Sequence, residues 1–297
     1  MTSTTYITLI CLAFVGAATA GSDWSYKDMS KWKDSNMNCV KNSQSPINIE
    51  ISKAELKELG DFNFSKYTKL SNAKLSNNGH TVQLEVKGLT LSGGNLTGTY
   101  DTLQLHFHWS ANVTTKGSEH TVDMKSYPLE MHIVHVNPKY HNVSVALTKP
   151  DGLAVLGFFF KIGDENPQLK TIIPYVGNVT SSGKNIKSFD LKGLISEATK
   201  SDKYFRYSGS LTTPPCSEAV IWTVYEMPLK ISQKQLNVLW SAEDGHGKRM
   251  TNYRPVQPLN GRKVFKNIPG SGSGSGSGMT KAFSVLVVFS VVLSYLS

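Results

Sequence analysis

Apolar and polar positions alternate with a two-residue period in several short runs: Thr81-Val-Gln-Leu-Glu-Val86, Thr102-Leu-Gln-Leu-His-Phe-His-Trp109, Leu129 to Val136, Val143 to Leu147 and Val220 to Tyr225. This period marks strands with two unlike faces, because successive side chains of a strand point to opposite sides. Leu153 to Ile162 is apolar almost throughout, as a strand covered on both faces is. Turn chemistry separates the runs at Asn77-Asn78-Gly79, Gly93-Gly94-Asn95, Asn137-Pro138 and Lys149-Pro150-Asp151-Gly152. Helical signals are few. Ser52-Lys-Ala-Glu55 reads as a capping box opening a helix toward Gly60, and Ser232-Gln-Lys-Gln235 as one opening a helix that ends near Trp240. The pattern predicts a mainly β single domain with peripheral short helices, without internal repeats or a glycine-rich nucleotide loop.

The two ends of the chain have a different character. Residues 1–20 carry an apolar stretch from Tyr6 to Val15 and end in Ala18-Thr19-Ala20, the small-residue pattern of a cleaved signal peptide, although no Lys or Arg precedes the stretch. Residues 21–269 then form the domain, about 250 residues and enough for one large core. Residues 270–281 are a Gly/Ser-rich linker and spacer, and residues 282–297 a hydrophobic tail with nothing basic after it. Spacer and removable tail are the ingredients of a glycolipid-anchor (GPI) signal. A retained single membrane span is the alternative, short against the ~20 residues a span needs.

Secretion agrees with five Asn-x-Ser/Thr sequons, at Asn63, Asn95, Asn112, Asn142 and Asn178. Of three cysteines, Cys11 leaves with the signal, so Cys39 and Cys216 are the one possible disulfide pair. Closing so long a loop is worth roughly 4 to 5 kcal/mol in the chain-entropy picture. The formal charge of +9 comes from dispersed lysines such as Lys53, Lys57, Lys66, Lys69 and Lys74, which describe a solvated surface rather than a nucleic-acid site.

Candidate chemistry sits on two of the predicted strands. Period two puts Gln104, His106 and His108 on one face and Leu103, Leu105, Phe107 and Trp109 on the other. Two imidazoles thus project together. The run Glu130-Met131-His132-Ile133-Val134-His135 supplies a third from either His132 or His135, on opposite faces, and spacing alone does not choose. Glu130 shares the face of His132, where a carboxylate could accept the N–H of a ligating ring, and this tips the balance slightly toward His132. Three neutral imidazoles without a fourth protein ligand suit a catalytic zinc site.

The segments Gln44-Ser-Pro-Ile-Asn-Ile49, Ser76-Asn-Asn-Gly-His80, Leu105-His-Phe-His-Trp109, Gly117-Ser-Glu-His-Thr-Val122, Glu130-Met-His132, Asp151-Gly-Leu-Ala-Val-Leu-Gly157, Gly209-Ser-Leu-Thr-Thr-Pro-Pro215 and Asn252-Tyr-Arg-Pro255 follow one another in order. With them the chain resembles the α-class carbonic anhydrases from about Trp24 to Arg262. The resemblance implies a large, mostly antiparallel central sheet of about ten strands. It also implies a zinc lyase that reversibly hydrates carbon dioxide to bicarbonate and a proton through zinc-bound hydroxide.

It further implies one Zn2+ on His106, His108 and His132, with Gln104, Glu130 and Asn252 supporting the ligands and His135 elsewhere in the core. Thr212 would orient the nucleophile by donating its own proton to Glu119. Val134, Val155, Leu211, Thr213, Val220 and Trp222 would form the substrate pocket. His80 matches the proton-shuttle position, suited to it by an imidazole pKa near 6.5, and Tyr26, Asn78 and Gln83 the positions holding its water chain. His141 and His246 have no such match and read as surface residues. Two other readings share this scaffold: a catalytically silent cell-surface binding module, which forms when a ligating histidine is lost, and a zinc ester hydrolase with a cavity for larger acyl groups. No protein partner is implied.

Overall fold

The computed structural model describes residues 24–268, apart from 69, 72 and 112. The expected signal peptide, linker, hydrophobic tail and the Asn112 sequon lie outside the described residues. Fourteen strands are formed among the described residues: β1 (Asn48–Ile49), β2 (Glu55–Lys57), β3 (Phe62–Ser65), β4 (Ala73–Asn77), β5 (Val82–Glu85), β6 (Thr90–Gly93), β7 (Tyr100–Trp109), β8 (Thr121–Val122), β9 (Leu129–Val136), β10 (Leu153–Ile162), β11 (Lys184–Ile186), β12 (Tyr204–Gly209), β13 (Val220–Ile231) and β14 (Phe265–Asn267).

Twelve of these join one sheet in the order β11-β4-β5-β7-β9-β10-β13-β12-β14-β2, with β6 beside β7 and β3 beside β6. Its ladders are antiparallel except β10–β13 and β14–β2. The sheet is larger than the expected ten strands because β7 is long. β5 pairs with its later half at Gln104 to His106, leaving Tyr100 and Asp101 for β6 and, behind it, β3.

The central strands separate two apolar clusters. Leu105, Phe107, Trp109, Met131, Ile133 and Leu156 pack on one side with the helices Leu191–Thr199 and Gln233–Trp240, while Val134, Val136, Val155, Phe159 and Trp222 pack on the other. β10 is buried on both faces over its first eight residues, which explains its continuous apolar run. The helix Gln233–Trp240 begins with the expected capping box, in which Ser232 and Gln235 bond each other's backbone N–H.

Three local expectations are corrected. Ser52 to Glu55 does not open a helix: a single 3-10 turn at Ile51–Lys53 gives way to β2, where the Glu55 N–H bonds Val264 O at 2.9 Å and pairing with β14 overrides helical propensity. Val143 to Leu147 is not a strand but the short helix Val143–Ala146, because Asn142 Oδ1 accepts from Ser144 N at 2.7 Å and caps it. Val143 and Ala146, three apart, are its buried residues, a spacing that a brief alternation also satisfies. Finally, the β7–β9 register slips between Thr102 and Gln104, and this bulge turns Leu103 against the Val134 cluster rather than toward Leu105.

Candidate metal centre

β7 and β9 are direct neighbours, and His106 stands opposite His132 in their register. The two residues share a face, and His108 joins them two positions along. Ring centroids are 4.8 Å apart for His106 and His108, 5.3 Å for His106 and His132, and 4.5 Å for His108 and His132. One nitrogen of each ring converges, all within 4.8 Å of one another. His135 is on the far face, with Nδ1 bonded to Ala154 O at 2.9 Å and Nε2 to the Tyr67 hydroxyl at 2.5 Å.

The outward nitrogen of each converging ring is engaged by an acceptor. His106 Nδ1 meets Gln104 Oε1 at 2.8 Å, His108 Nδ1 donates to Asn252 O at 2.7 Å, and His132 Nε2 meets Glu130 Oε1 at 2.8 Å. Committing that proton outward directs the lone pair of the other nitrogen inward. His108 Nε2 is buried with no hydrogen-bond partner among the described residues. An unpaired buried nitrogen costs about 1–3 kcal/mol, and a cation at the point of convergence accounts for it. Burial, and then the neighbouring His132, push the His108 pKa down to about 3; burial likewise lowers His106 and His132, so all three are neutral, as ligands must be. The donor set therefore fits zinc: three imidazole nitrogens with a position left open.

The same chain is matched by the family profile of eukaryotic-type carbonic anhydrases over residues 27–268. It is 34% identical over 278 residues to carbonic anhydrase 4 of Rattus norvegicus and 35% over 281 residues to that of Mus musculus, each time covering 88% of this chain and 90% of the relative. Carbonic anhydrase 7 of Mus musculus is 40% identical over 237 residues, 74% of this chain and 87% of the relative. The chain belongs to the eukaryotic-type carbonic anhydrase family. It is a carbonic anhydrase enzyme, and the sheet described above is the α-carbonic anhydrase fold.

In this carbonic anhydrase the triad opens into a cavity of about 100 Å3. Val134, Val155, Leu211 and Trp222 give it an apolar wall beside Thr212 and Thr213, while Val220 is buried in the cluster behind that wall. Tyr26, Asn78, His80 and Gln83 line it with Gln104. Asn78 Oδ1 accepts from the backbone N–H of His80 at 3.0 Å and of Thr81 at 2.9 Å, holding a tight turn in which Gly79 takes φ +84°, a conformation that favours glycine. Asn78 Nδ2 reaches Gln83 Oε1 at 3.3 Å. The His80 ring stacks on Trp24 at 3.8 Å, a partner the motifs did not single out.

Glu119 is buried, and one of its oxygens, Oε1, accepts from Arg254 N at 2.8 Å. Burial raises its pKa, with the Thr212 hydroxyl and the Arg254 N–H pulling the other way. Thr212 therefore stands beside Glu119, although Oε2 has no hydrogen bond among the described residues. A divalent cation at the triad would oppose the rise and favour the carboxylate.

Pattern reading missed His120. Its Nδ1 bonds Glu130 Oε1 at 2.7 Å and its Nε2 the Tyr207 hydroxyl at 2.7 Å, which in turn donates to Ser45 Oγ at 2.8 Å. Glu130 Oε2 also accepts from the backbone N–H of Glu119 at 2.9 Å and of His120 at 2.8 Å. Burial works to raise the Glu130 pKa, but His120 and His132 outweigh it and hold the carboxyl below the ordinary range. The cluster of His120, Glu130 and His132 is thus internally hydrogen-bonded, a brace for the ligand rather than an open ion site. The signal was present in Gly117-Ser-Glu-His-Thr-Val122, but no strand period covers it.

Asn252 does more than support one ligand. Its carbonyl holds His108; its side-chain oxygen accepts from Trp109 N at 2.8 Å, and Nδ2 donates to His80 O at 3.0 Å and to Phe107 O at 2.9 Å. Cys39 and Cys216 are joined in a disulfide with Cα atoms 4.9 Å apart. The sequon residues Asn63, Asn95, Asn142 and Asn178 are exposed, as are His141 and His246. Among the described residues no helix is long and apolar enough to cross a membrane.

Proposed function

We propose that His106, His108 and His132 hold one zinc ion and that the enzyme interconverts carbon dioxide with bicarbonate and a proton in the cavity they open into. The observation that carries this reading is the set of three ring nitrogens converging while their opposite nitrogens are each tied to an acceptor. Bound zinc would supply a Lewis acid that lowers the pKa of water to about 7, a magnitude established for this enzyme family itself rather than inferred from this chain.

The protein's own groups then have separable tasks. Val134, Val155, Leu211 and Trp222 exclude water from the side where an apolar, linear substrate must rest, with Val220 fixing the wall from behind. Thr212, with its proton given to the Glu119 carboxylate, can accept but not donate toward the nucleophile, and so aims a lone pair at the substrate carbon. Its backbone N–H, with Thr213 beside it in the cavity lining, would serve as donor to a substrate oxygen. His80 accepts the proton released in each turnover and passes it to solvent, through water ordered by Tyr26, Asn78 and Gln83.

Residues 1–20 direct the chain to the secretory pathway, and residues 282–297 direct attachment of a glycolipid anchor on the extracellular face. The exposed sequons and the disulfide support that compartment. Release from membranes by a phosphatidylinositol-specific phospholipase is the expected result; persistence after treatment favours a retained span. For the catalytic reading the test is metal content and hydration rate on one sample. One zinc per chain with rapid hydration is expected, and a zinc-loaded protein without hydration activity overturns it.

A further inference from the structure

At the edge of the sheet opposite the chain's exit, β11 and its neighbour β4 face the turn Leu169–Thr171 and the helix Ile173–Val176 across an open groove of about 1080 Å3. Lys74, Lys170, Lys184 and Lys187 line it, and among the described residues no acidic one does. Lysines along an edge strand ordinarily serve to repel a second strand. That purpose explains Lys184 on β11, but not Lys74 on the inner strand or Lys170 on the opposite wall.

Two of the four have close neighbours in the groove wall. Gly183, just before β11, has φ +74°, and a Cβ there would lie 2.6 Å from Lys74 Cε, so the Lys74 stem packs over this glycine at the groove. The Lys184 ammonium sits 5.6 Å from the centre of the Tyr175 ring, itself 41% exposed. Among the described residues Lys170 is the one lysine of the four with an acidic partner, Glu165 at 2.9 Å.

We propose that this groove binds a linear sulfated polysaccharide, its sulfates on the lysines and one sugar ring against Tyr175. Concavity suits a strand of polymer and not a flat bilayer. A sugar presents C–H groups to the exposed part of the Tyr175 ring, a contact that a free anion does not make. Position argues the same way: the described chain ends at Ile268, whose N–H bonds Lys57 O beside β2, and nine inter-strand steps, roughly 40 Å, separate β2 from β11. The groove and the last described residue thus lie at opposite edges of the sheet.

The test uses the full-length protein and compares heparin, unsulfated dextran and phosphatidylserine vesicles over a salt series. Heparin is expected to bind with an affinity that falls steeply with salt, and dextran not to bind. The variant Lys74→Gln/Lys184→Gln/Lys187→Gln should weaken heparin binding by about tenfold or more and flatten its salt dependence. Removing charge elsewhere, with Lys33→Gln/Lys125→Gln/Lys149→Gln, should change it by less than about twofold. Tyr175→Ala should weaken heparin while leaving binding of inorganic polyphosphate unchanged. Hydration activity reports folding of every variant and does not depend on the groove. Equal loss in both triple variants reduces the effect to net charge and overturns the proposal, as do heparin binding unchanged in the groove variant, tighter binding to the vesicles than to heparin, or equal loss of polyphosphate and heparin in Tyr175→Ala.

Discussion

His132 and His135 are three residues apart on β9, both fully buried, yet only one can be a ligand. On the side facing away from the cavity, His135 is saturated: Ala154 takes one ring nitrogen and Tyr67 the other. On the cavity side, His132 has one nitrogen held by Glu130 and the second turned toward His106 and His108. Burial lowers the pKa of both, that of His135 to about 4, so neutrality does not separate them. What separates them is one uncommitted lone pair. A metal site in this fold is made by leaving a hydrogen bond unmade on one face of a strand while completing every bond on the other.

The largest test of that contrast is His132→Ala, expected to reduce zinc to well below one per chain and hydration to background. His135→Gln should leave zinc stoichiometry intact and instead lower stability by about 1–3 kcal/mol, since the Tyr67 and Ala154 partners are disturbed in the core. Chemical denaturation and metal analysis read both. A zinc deficit in His135→Gln equal to that in His132→Ala would erase the distinction. Glu130→Gln should follow, with zinc affinity about 10–100-fold weaker by chelator competition, because the carboxylate that fixes the His132 ring is lost.

His80→Ala is expected to slow turnover in weak buffer and to recover as imidazole is added, with metal content unchanged. Equal loss at every buffer strength would remove the shuttle role.

The smallest expected effect is on stability just below pH 6.5, and it grows with acidity. The folded-state pKa values of the triad are depressed, that of His108 to about 3, so below about pH 6.5 the unfolded chain binds protons that the folded metal-free protein refuses. Stability of the metal-free protein is therefore complete above about pH 6.5 and falls as pH drops, by up to about 1.4 kcal/mol per pH unit for each such histidine. Zinc should hold the plateau to lower pH until protons displace it. Coincident acid curves with and without zinc would contradict this.

Much of this was legible in the chain because period two is local. It grouped Gln104, His106 and His108 correctly and limited the third ligand to two candidates. It did not choose between them, since that depends on which face of β9 meets β7 and on what Tyr67 and Ala154 do, contacts made across long stretches of chain. The resemblance to carbonic anhydrases supplied the choice. The Leu103 bulge was invisible for a related reason: a bulge breaks the very period from which faces are read. His120 was missed because it lies just before a two-residue strand, too short to show a period. The two helix and strand errors, at Ser52 and Val143, were short segments in which pairing or a cap decides against a weak local preference.

The tethering by Asn252 and Arg254 sets an order of events during synthesis. His108 and Glu119 are in place only when bonded by residues more than a hundred positions further on. While the ribosome still shields that segment, the strands carrying the histidines lack the groups that orient them. Metal acquisition is accordingly expected to be a late step, following emergence of nearly the whole domain, and a nascent chain stalled before Asn252 should leave zinc in solution.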